Sequence, residues 1–500
     1  MLAVTCQQIA LYDNRILKTA INSEQRMNCT KRVLSYFSER AAAPAVCTLK
    51  DGCASFGDVG RLSAAAQAMA SDEGLSAGDT VLVLSSPDPL LYATILGFLG
   101  RGIVVVFVEP WLPVRDIEHV LRRVQPKAFI GSRLAQLWAT RIAAARSIPR
   151  WIHIGSLRHH VGRRGFDCAD LDPSSPATIT FSSGTTGAPK GIVRSHACMS
   201  AVHDALTDPD RFGHFEEPAL CVFPNMALLH LGTGRGSLIV PKSWSTRVLR
   251  RLSQSAAALK TATIAAGPAF LMQLLRFTDR YGGFDDLRAI IVGGAQTDCW
   301  ALEHGFDRWP QARWTHVYGG SEVEPVACVD AREAVAKSRE RNRFQALFVG
   351  APVPMVTTRV EPDGLLVSGA NVARHLDAPQ TAGSFSERER HWHNMGDRIL
   401  ADDEGWWYAG RVAQPEAEFH LEQRIYSHLG TSACFVRTLS SGRLVLFGDH
   451  ITRRVADAEG FTSLFPEIEE LEDVSIVRDR RHRARIDRTR TLLKSRIQRT

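Results

Sequence analysis

The stretch Thr178–Gly191, TITFSSGTTGAPKG, decides how the rest of this 500-residue chain is interpreted. Its first four residues, Thr178–Phe181, are β-branched or aromatic and predict a strand. A loop of serine, threonine and glycine follows, with Lys190 before its last glycine. Glycines let backbone N–H groups approach a phosphate, hydroxyls add donors, and lysine adds a point charge. The stretch therefore predicts a phosphate-binding loop rather than a plain Gly/Ser turn, although the Walker A order is absent.

Strand-like and helix-like segments alternate on both sides of this loop. The strand-like Thr80–Leu84 precedes an apolar helix, Leu90–Gly100, and a second strand, Ile103–Val108. Arg101 and Gly102 interrupt the apolar run, so it is too short to span a membrane. This alternation predicts parallel sheets covered by helices. It continues over Val114–Val124, Ala128–Ile130, Arg133–Arg146, Trp151–Ile154, Ala219–Phe223, Ser237–Val240, Arg247–Leu259 and Ala289–Val292.

The sequence pattern changes after about Val349, where short strand-like stretches alternate with turns of Gly, Pro and Asp. We therefore predict an α/β protein in two parts. Residues 1–411 would hold two doubly wound α/β subdomains and a β-rich subdomain over about 349–411. Residues 412–500 would form a small, mobile α+β domain with a basic tail. The charged stretches Arg332–Arg343 and Glu387–His391 are predicted to be exposed segments.

Composition places the chain among globular proteins, with 45% hydrophobic and 23% charged residues. The net charge of +7 is concentrated in the tail from Arg478 to Thr500, which holds nine arginines and Lys494 against two aspartates. The tail is either a solvated end or a polyanion contact, and the chain as a whole is not predicted to bind nucleic acid. Ten cysteines without a CxxC pair predict neither a zinc ribbon nor a disulfide framework. With no signal peptide in the sequence, this favours a cytoplasmic location.

Three further motifs follow the loop in a fixed order. They are Val292–Gln296 (VGGAQ), Tyr318–Glu322 (YGGSE), and Met395–Asp397 (MGD) with Gly410–Arg411 (GR). Together with the loop they resemble the adenylate-forming superfamily of acyl-CoA synthetases, peptide-synthetase adenylation domains and luciferases. In that family they are the phosphate loop, the adenine-contacting segment, the YGxTE motif, and the ribose-binding aspartate with an arginine near the phosphates. The resemblance covers residues from about 30 to 490.

The resemblance implies ATP and Mg²⁺ as cofactors and assigns three catalytic residues. Lys190 would neutralise the leaving pyrophosphate, Glu322 would bind Mg²⁺ together with Thr186, and Arg485 would act from the small domain. An adenylating site needs a cation for the pyrophosphate, a carboxylate for Mg²⁺ and hydrogen-bond partners for ribose, and Lys190, Glu322 and Asp397 are of these types. The residues implied for nucleotide binding are Ser183, Gly184, Thr185, Thr186, Gly187, Gly294, Ala295, Gln296, Tyr318, Gly319, Ser321, Asp397 and Arg411.

Two departures from the family pattern lie near the end of the chain. The family presents a lysine from its small domain, and here Arg485 stands at that position. Arg485 keeps the positive charge but presents a planar guanidinium instead of a compact ammonium, and that exchange is not conservative at a tight site. The segment Val412–Gln414 also lacks the Asp or Lys usual at the family's hinge. These departures favour slow adenylation, adenylation supported by Arg485, or loss of activity.

The implied function is an ATP-dependent ligase that activates a carboxylic acid as acyl-AMP and releases pyrophosphate. Four stretches are similar to the olefin-biosynthesis β-lactone synthetase branch, which implies a fatty or β-hydroxy acid. They are Phe223–Gly234 (FPNMALLHLGTG), Tyr318–Ala327 (YGGSEVEPVA), Met395–Arg411 (MGDRILADDEGWWYAGR) and Asp479–Arg488 (DRRHRARIDR). The acyl group would then pass to CoA or to a carrier-protein thiol, or close to a β-lactone. An acyl-carrier protein or other pathway enzymes are the implied partners. The alternatives are a non-catalytic nucleotide or acyl-adenylate binder and an enzyme that activates a non-carboxylate substrate.

Two histidine pairs are secondary candidates. His391 and His393, near acidic residues, could bind a metal, but Arg388 and Arg390 would oppose a cation, so a charged loop is favoured. His196 and His203, two helical turns apart, are either packed beneath the phosphate loop or directed at the acyl pocket. Packing is favoured.

Overall fold

The computed structural model describes residues 27–182, 189–340, 347–376, 384–387, 390–429, 434–449, 460–477, 486, 488–492 and 494. Within these residues the strands form four sheets, of eleven, seven, four and three strands. Helices cover the two larger sheets.

The seven-stranded sheet contains the strands on either side of the predicted phosphate loop. Its central strands run parallel, and its edge on the loop side is antiparallel. Val81 and Val83 face one core cluster, while Leu82 faces another, so both faces of the sheet are buried. The strands in spatial order are Arg374–His375, Lys190–Ser195, Pro176–Ser182, Val104–Val106, Thr80–Leu84, Ala128–Gly131 and Arg150–His153.

The eleven-stranded sheet is parallel in its centre and antiparallel at both ends. Ala265 and Cys221 pack into the same core cluster as the seven-stranded sheet, so the two sheets share one hydrophobic core. The strands in spatial order are Gly52–Ser55, Pro44–Thr48, Ser237–Ile239, Ala219–Cys221, Thr263–Ala266, Ala289–Gly293, Arg313–Tyr318, Ala327–Asp330, Leu347–Pro352, Gly405–Arg411 and Asp397–Asp402.

The segment predicted to be β-rich is built of strands but divides between two sheets. Leu347–Pro352, Asp397–Asp402 and Gly405–Arg411 extend the eleven-stranded sheet. The remaining strands form the four-stranded sheet, in the order Val356–Glu361, Gly364–Gly369, Arg390–Asn394 and Ser384–Glu387. Near the end of the chain, Cys434–Thr438, Leu444–Gly448 and Glu470–Asp473 form the three-stranded sheet, packed on the helix Glu416–Leu429.

The helix Pro89–Gly100 shows how local sequence defines an element. The Asp88 side chain accepts the N–H of Leu91, and Pro89 occupies the first helical turn, where no backbone donor is needed. Residues 91–100 are all buried, which explains the apolar run. No described helix combines the length and the apolar character that crossing a membrane requires.

The helices begin and end as follows: Lys31–Leu34, Tyr36–Glu39, Phe56–Asp72, Pro89–Gly100, Val114–Val124, Arg133–Ala139, Ala143–Arg146, Ile154–His160 (3₁₀), His196–Leu206, Pro209–Phe212, Met226–Gly232, Thr246–Ala258, Pro268–Tyr281, Cys299–Arg308, Ala331–Glu340, Glu416–Leu429, Phe461–Leu464 and Arg488–Leu492. The sheets and these helices confirm the predicted α/β class. The boundary between residues 411 and 412 stays a prediction.

Two local predictions are wrong. The helix predicted over Arg133–Arg146 breaks after Ala139, where the Thr140 hydroxyl bonds the Leu137 carbonyl, and Glu118 accepts the N–H of Ala143 as a new helix begins. The stretch predicted to be exposed over Arg332–Arg343 is largely an amphipathic helix, Ala331–Glu340, in which Ala331, Ala334, Val335 and Ser338 are buried. Residues 341–343 of the predicted stretch lie outside the described part of the chain.

A disulfide joins Cys47 to Cys53 across the hairpin of Pro44–Thr48 and Gly52–Ser55. The sequence spacing gives no indication of this bond, and the other cysteines in the described part of the chain are free thiols. The pairing depends on hairpin register, which places the two cysteines directly opposite each other.

Candidate functional site

The predicted phosphate loop connects two antiparallel strands of the seven-stranded sheet. Ser182 lies opposite Lys190, so the loop leaves and re-enters the sheet at one point. Lys190 is the first residue of the second strand and is half-buried. The loop residues Ser183, Gly184, Thr185, Thr186 and Gly187 lie outside the described residues, as does Arg485.

The YGGSE segment follows the end of the strand Arg313–Tyr318. Gly320 and Val323 exchange backbone hydrogen bonds of 2.8 and 3.1 Å, which form a tight turn that contains Glu322. A side chain on Gly319 would place its Cβ 2.8 Å from the Val323 carbonyl, so this turn requires glycine there. Arg194, on the strand that begins at Lys190, donates to the Ser321 carbonyl and ties the two segments together.

Three predicted residues meet in one network, in which Tyr318 and Asp397 are buried and Arg411 reaches Asp397 from the surface. The Tyr318 hydroxyl donates to Asp397 Oδ2 at 2.8 Å, and Arg411 Nε lies 3.1 Å from Asp397 Oδ1. Arg411 also donates to the Met395 carbonyl at 2.5 Å. Asp397 is only 4% exposed and Tyr318 8%. Burial, reinforced by the Asp397 charge, raises the pKa of Tyr318 well above its usual value, so the phenol stays a donor.

The VGGAQ segment leaves the end of the strand Ala289–Gly293. Gly294 has a φ of +80°, a conformation that favours glycine, and a Cβ there would lie 3.5 Å from the Phe223 ring. Gln296 contacts the helix Glu416–Leu429, because its Nε2 donates to Oε1 of Gln423 on that helix. The segment predicted to contact adenine therefore also contacts the C-terminal part of the chain.

The residues present fit the expected divalent cation and nucleotide. Glu322 supplies the carboxylate oxygens that Mg²⁺ prefers, and no described lysine or arginine forms an ion pair with it. Gly320 lies directly beside that carboxylate, since a Cβ on it would be 3.7 Å from Glu322 Oε2 and 3.1 Å from Met395 Cε. Asp397 presents a buried carboxylate of the kind that accepts ribose hydroxyls.

His393, His375 and Arg194 were not predicted as site residues. The exposed loop predicted for His391 and His393 is wrong, because both lie in the strand Arg390–Asn394, where His391 is half-buried and His393 is 6% exposed. Burial lowers the pKa of His393 to about 4; Glu322 opposes this shift, and His375, His391 and Lys190 add to it. The described residues contain no group of three or more potential metal ligands.

His196 and His203 are packed side chains, as the sequence favoured. His196 Nδ1 accepts the N–H of Cys29 at 3.3 Å, and burial lowers its pKa to about 4. His203 lies so close to Gly232 that a Cβ there would come within 2.6 Å of its Nε2. His203 and Leu228 line a cavity of about 40 Å³ behind the helix Met226–Gly232.

Comparisons with known proteins agree with this geometry. The model of a family described as "AMP-binding enzyme" matches residues 41–373. The olefin β-lactone synthetase of Xanthomonas campestris pv. campestris is 26% identical over 387 residues, which cover 68% of each chain. The nonribosomal peptide synthetase dtxS1 of Metarhizium robertsii is 27% identical over 344 residues, 65% of this chain and 4% of that much longer protein. The anthranilate CoA ligase AuaEII, solved with anthranoyl-AMP, superimposes with a TM-score of 0.76 over 96% of this chain and 99% of its own, at 15% identity.

Proposed function

Because the chain belongs to the AMP-binding enzyme family, we propose that it is an ATP-dependent ligase that joins a carboxylic acid to AMP and releases pyrophosphate. The contact of the buried residues Tyr318 and Asp397 with the exposed Arg411 carries the proposal. In this contact the Asp397 carboxylate, which would bind ribose, lies beside the Tyr318 ring and the Arg411 guanidinium. Glu322, which would bind the metal, follows Tyr318 by four residues.

Each residue has a defined task in this reaction. Tyr318 orients Asp397 by donating to one carboxylate oxygen, which leaves the group able to accept ribose hydroxyls. Lys190 neutralises charge on the departing pyrophosphate, and Glu322 would hold Mg²⁺. When bound, that ion neutralises charge developing on the phosphates. The substrate carboxylate forms a bond to the α-phosphorus while the bond to the pyrophosphate oxygen breaks.

The acid is proposed to be fatty or β-hydroxy acyl. Phe223 lies against Gly294 at the predicted adenine segment, and Met226 and Leu228 follow on the adjoining helix. These apolar side chains favour an alkyl group. The likeness to a β-lactone synthetase supports closure by a neighbouring hydroxyl, and the likeness to a peptide synthetase supports transfer to a carrier-protein thiol.

A panel of acids tests the proposal. Release of AMP and pyrophosphate is measured with Mg·ATP and long-chain fatty, β-hydroxy or aryl acids, each with and without CoA. We expect release with one acid class and a loss of about 10²-fold in Lys190→Ala, the cost of removing one donor from a developing anion. Loss in Arg485→Ala would assign the small-domain role to that arginine.

The panel also separates the alternatives. Release without CoA from a β-hydroxy acid supports lactone closure. Measurable ATP binding without release for any acid would contradict the proposal and leave a non-catalytic binder or a non-carboxylate substrate.

A further inference from the structure

A short segment of chain, residues 372–376, connects the two groups expected to handle the phosphates. Ala373 donates its N–H to the Glu322 carbonyl at 2.8 Å, and Val372 bridges to Val323. Four residues later, Leu376 donates to the Gly191 carbonyl at 2.9 Å, immediately after Lys190. The segment thus spans from the metal-binding glutamate to the phosphate-loop lysine through backbone hydrogen bonds.

His375 is the fourth residue of this segment. It pairs with Ile192 across the strand edge, and its Nε2 lies 3.3 Å from Nδ1 of His393. The two rings are 5.3 Å apart between centroids and tilted by 32°. One nitrogen of the pair must donate and the other accept, so the contact is a hydrogen bond between two imidazoles.

His393 is anchored independently of the segment. It lies on the strand Arg390–Asn394, opposite Val367 of the buried strand Gly364–Gly369, and is itself buried. Both Glu322 and Lys190 lie near enough to influence its charge. Through His393, the four-stranded sheet therefore contacts His375 of residues 372–376.

We propose that the hydrogen-bonded pair His375–His393 is a positioning unit that fixes Glu322 relative to Lys190 and thereby sets the divalent-cation affinity of the site. The inference rests on the proposed function. His375 holds residues 372–376 against the four-stranded sheet, and Ala373 transmits that position to Glu322. Groups that hold a metal ligand from behind commonly change metal affinity or activity by about 10- to 100-fold when they are removed.

The test uses matched polar substitutions that differ in where they place a hydrogen-bonding atom. Glutamine approximates the Nε2 position of histidine, and asparagine approximates Nδ1. His375→Gln and His393→Asn therefore keep the pair, whereas His375→Asn and His393→Gln break it. His304→Leu, an exposed histidine paired with Asp279, serves as the control.

The measurement is Mn²⁺ affinity by electron paramagnetic resonance, with an ATP analogue that cannot be cleaved between the α- and β-phosphates. We expect Mn²⁺ to bind about tenfold more weakly in His375→Asn and His393→Gln. His375→Gln, His393→Asn and the control should stay within about twofold of wild type, and analogue binding without divalent cation should not change.

The outcomes separate this inference from the function on which it rests. A wild-type protein that binds neither the analogue nor Mn²⁺ overturns the proposed function. A wild-type protein that binds both, with equal Mn²⁺ affinity in the two members of each matched pair, overturns the role of the histidines. Melting curves confirm that each variant is folded, and if one pair fails to fold, the other decides.

Discussion

At the scale of single residues, Asp397 is the side chain on which the nucleotide site depends. It is buried, and its charge is compensated by Arg411 and by the Tyr318 hydroxyl. Asp397→Asn keeps the shape but leaves the guanidinium without its anion. Hydrogen bonds to charged groups contribute about 1.5–3 kcal/mol, so we expect AMP to bind roughly 10- to 100-fold more weakly.

Calorimetric titration with AMP measures this effect. Asp285→Asn, which alters an exposed pair with Arg308, is the control and should bind as wild type does. Tyr318→Phe should have a smaller effect than Asp397→Asn because it removes one hydrogen bond and no charge. Equal affinity in Asp397→Asn and wild type would exclude this carboxylate from the nucleotide site.

His316 predicts a pH dependence of stability. It is buried in the strand Arg313–Tyr318, neither ring nitrogen has a hydrogen-bond partner in the described structure, and burial lowers its pKa to about 4. A pKa lowered on folding means that the unfolded chain takes up the proton first as pH falls. The stability that this histidine contributes is therefore complete above about pH 6.5 and is lost between there and about pH 4.

At pH 5 the loss from one such histidine is about 2 kcal/mol. His316→Phe removes the titrating group, so its free energy of unfolding should fall less than that of wild type between pH 7 and pH 5. Denaturant unfolding at the two pH values measures the difference. Parallel losses in both proteins would show that His316 is not buried in its neutral form.

At the scale of elements, the end of the strand Gly405–Arg411 constrains how the chain enters the helix Glu416–Leu429. Gly410 has a φ of +94°, and a Cβ there would lie 2.8 Å from the Phe419 ring on that helix. Gly410→Ala combines a left-handed backbone with a clash, and the backbone alone costs about 1–2 kcal/mol. We therefore expect a protease to cleave Gly410→Ala faster than wild type between the strand Gly405–Arg411 and the helix Glu416–Leu429. Gly442→Ala, also at positive φ but with open space around it, is the control, and equal proteolysis of both variants would contradict the packing argument.

Elements with a clear period were predictable, and those whose environment comes from distant segments were not. Thr80–Leu84 and Val114–Val124 have the predicted bounds because their apolar residues repeat at strand or helix spacing. The helix Ala331–Glu340 carries many charges, and its small buried residues gave no visible apolar stripe. His393 was misjudged because the neighbouring arginines suggested a solvated loop, whereas pairing with Gly364–Gly369 buries it.

At the scale of the whole molecule, the candidate site draws on segments more than two hundred residues apart. The motifs indicated Lys190, Glu322 and Asp397 because each residue type suits the chemistry of a nucleotide. The contacts between the motifs could not be predicted, because they depend on tertiary packing. Examples are the hydrogen bond of Arg194 to Ser321 and that of Gln296 to Gln423. The residues 183–187 and Arg485 stay predictions, because they lie outside the described structure.

The hydrogen bond between Gln296 and Gln423 predicts coupling between the nucleotide segment and the helix Glu416–Leu429. AMP should slow hydrogen exchange in that helix, and Gln423→Ala should remove most of this protection. His420→Ala, on the same helix and paired with Glu416, is the control. Protection that is unchanged in Gln423→Ala would mean that the contact does not transmit nucleotide binding.

If a substrate carboxylate attacks the α-phosphorus of ATP, one of its oxygens passes to the AMP, and oxygen labelling detects that transfer. The acid identified by the panel is supplied with ¹⁸O in its carboxylate, and the AMP is examined by mass spectrometry. Attack by the carboxylate leaves one carboxylate oxygen on phosphorus when any acceptor takes the acyl group. We therefore predict one ¹⁸O atom in the AMP formed, whereas AMP without label would show that the carboxylate never bonds to phosphorus.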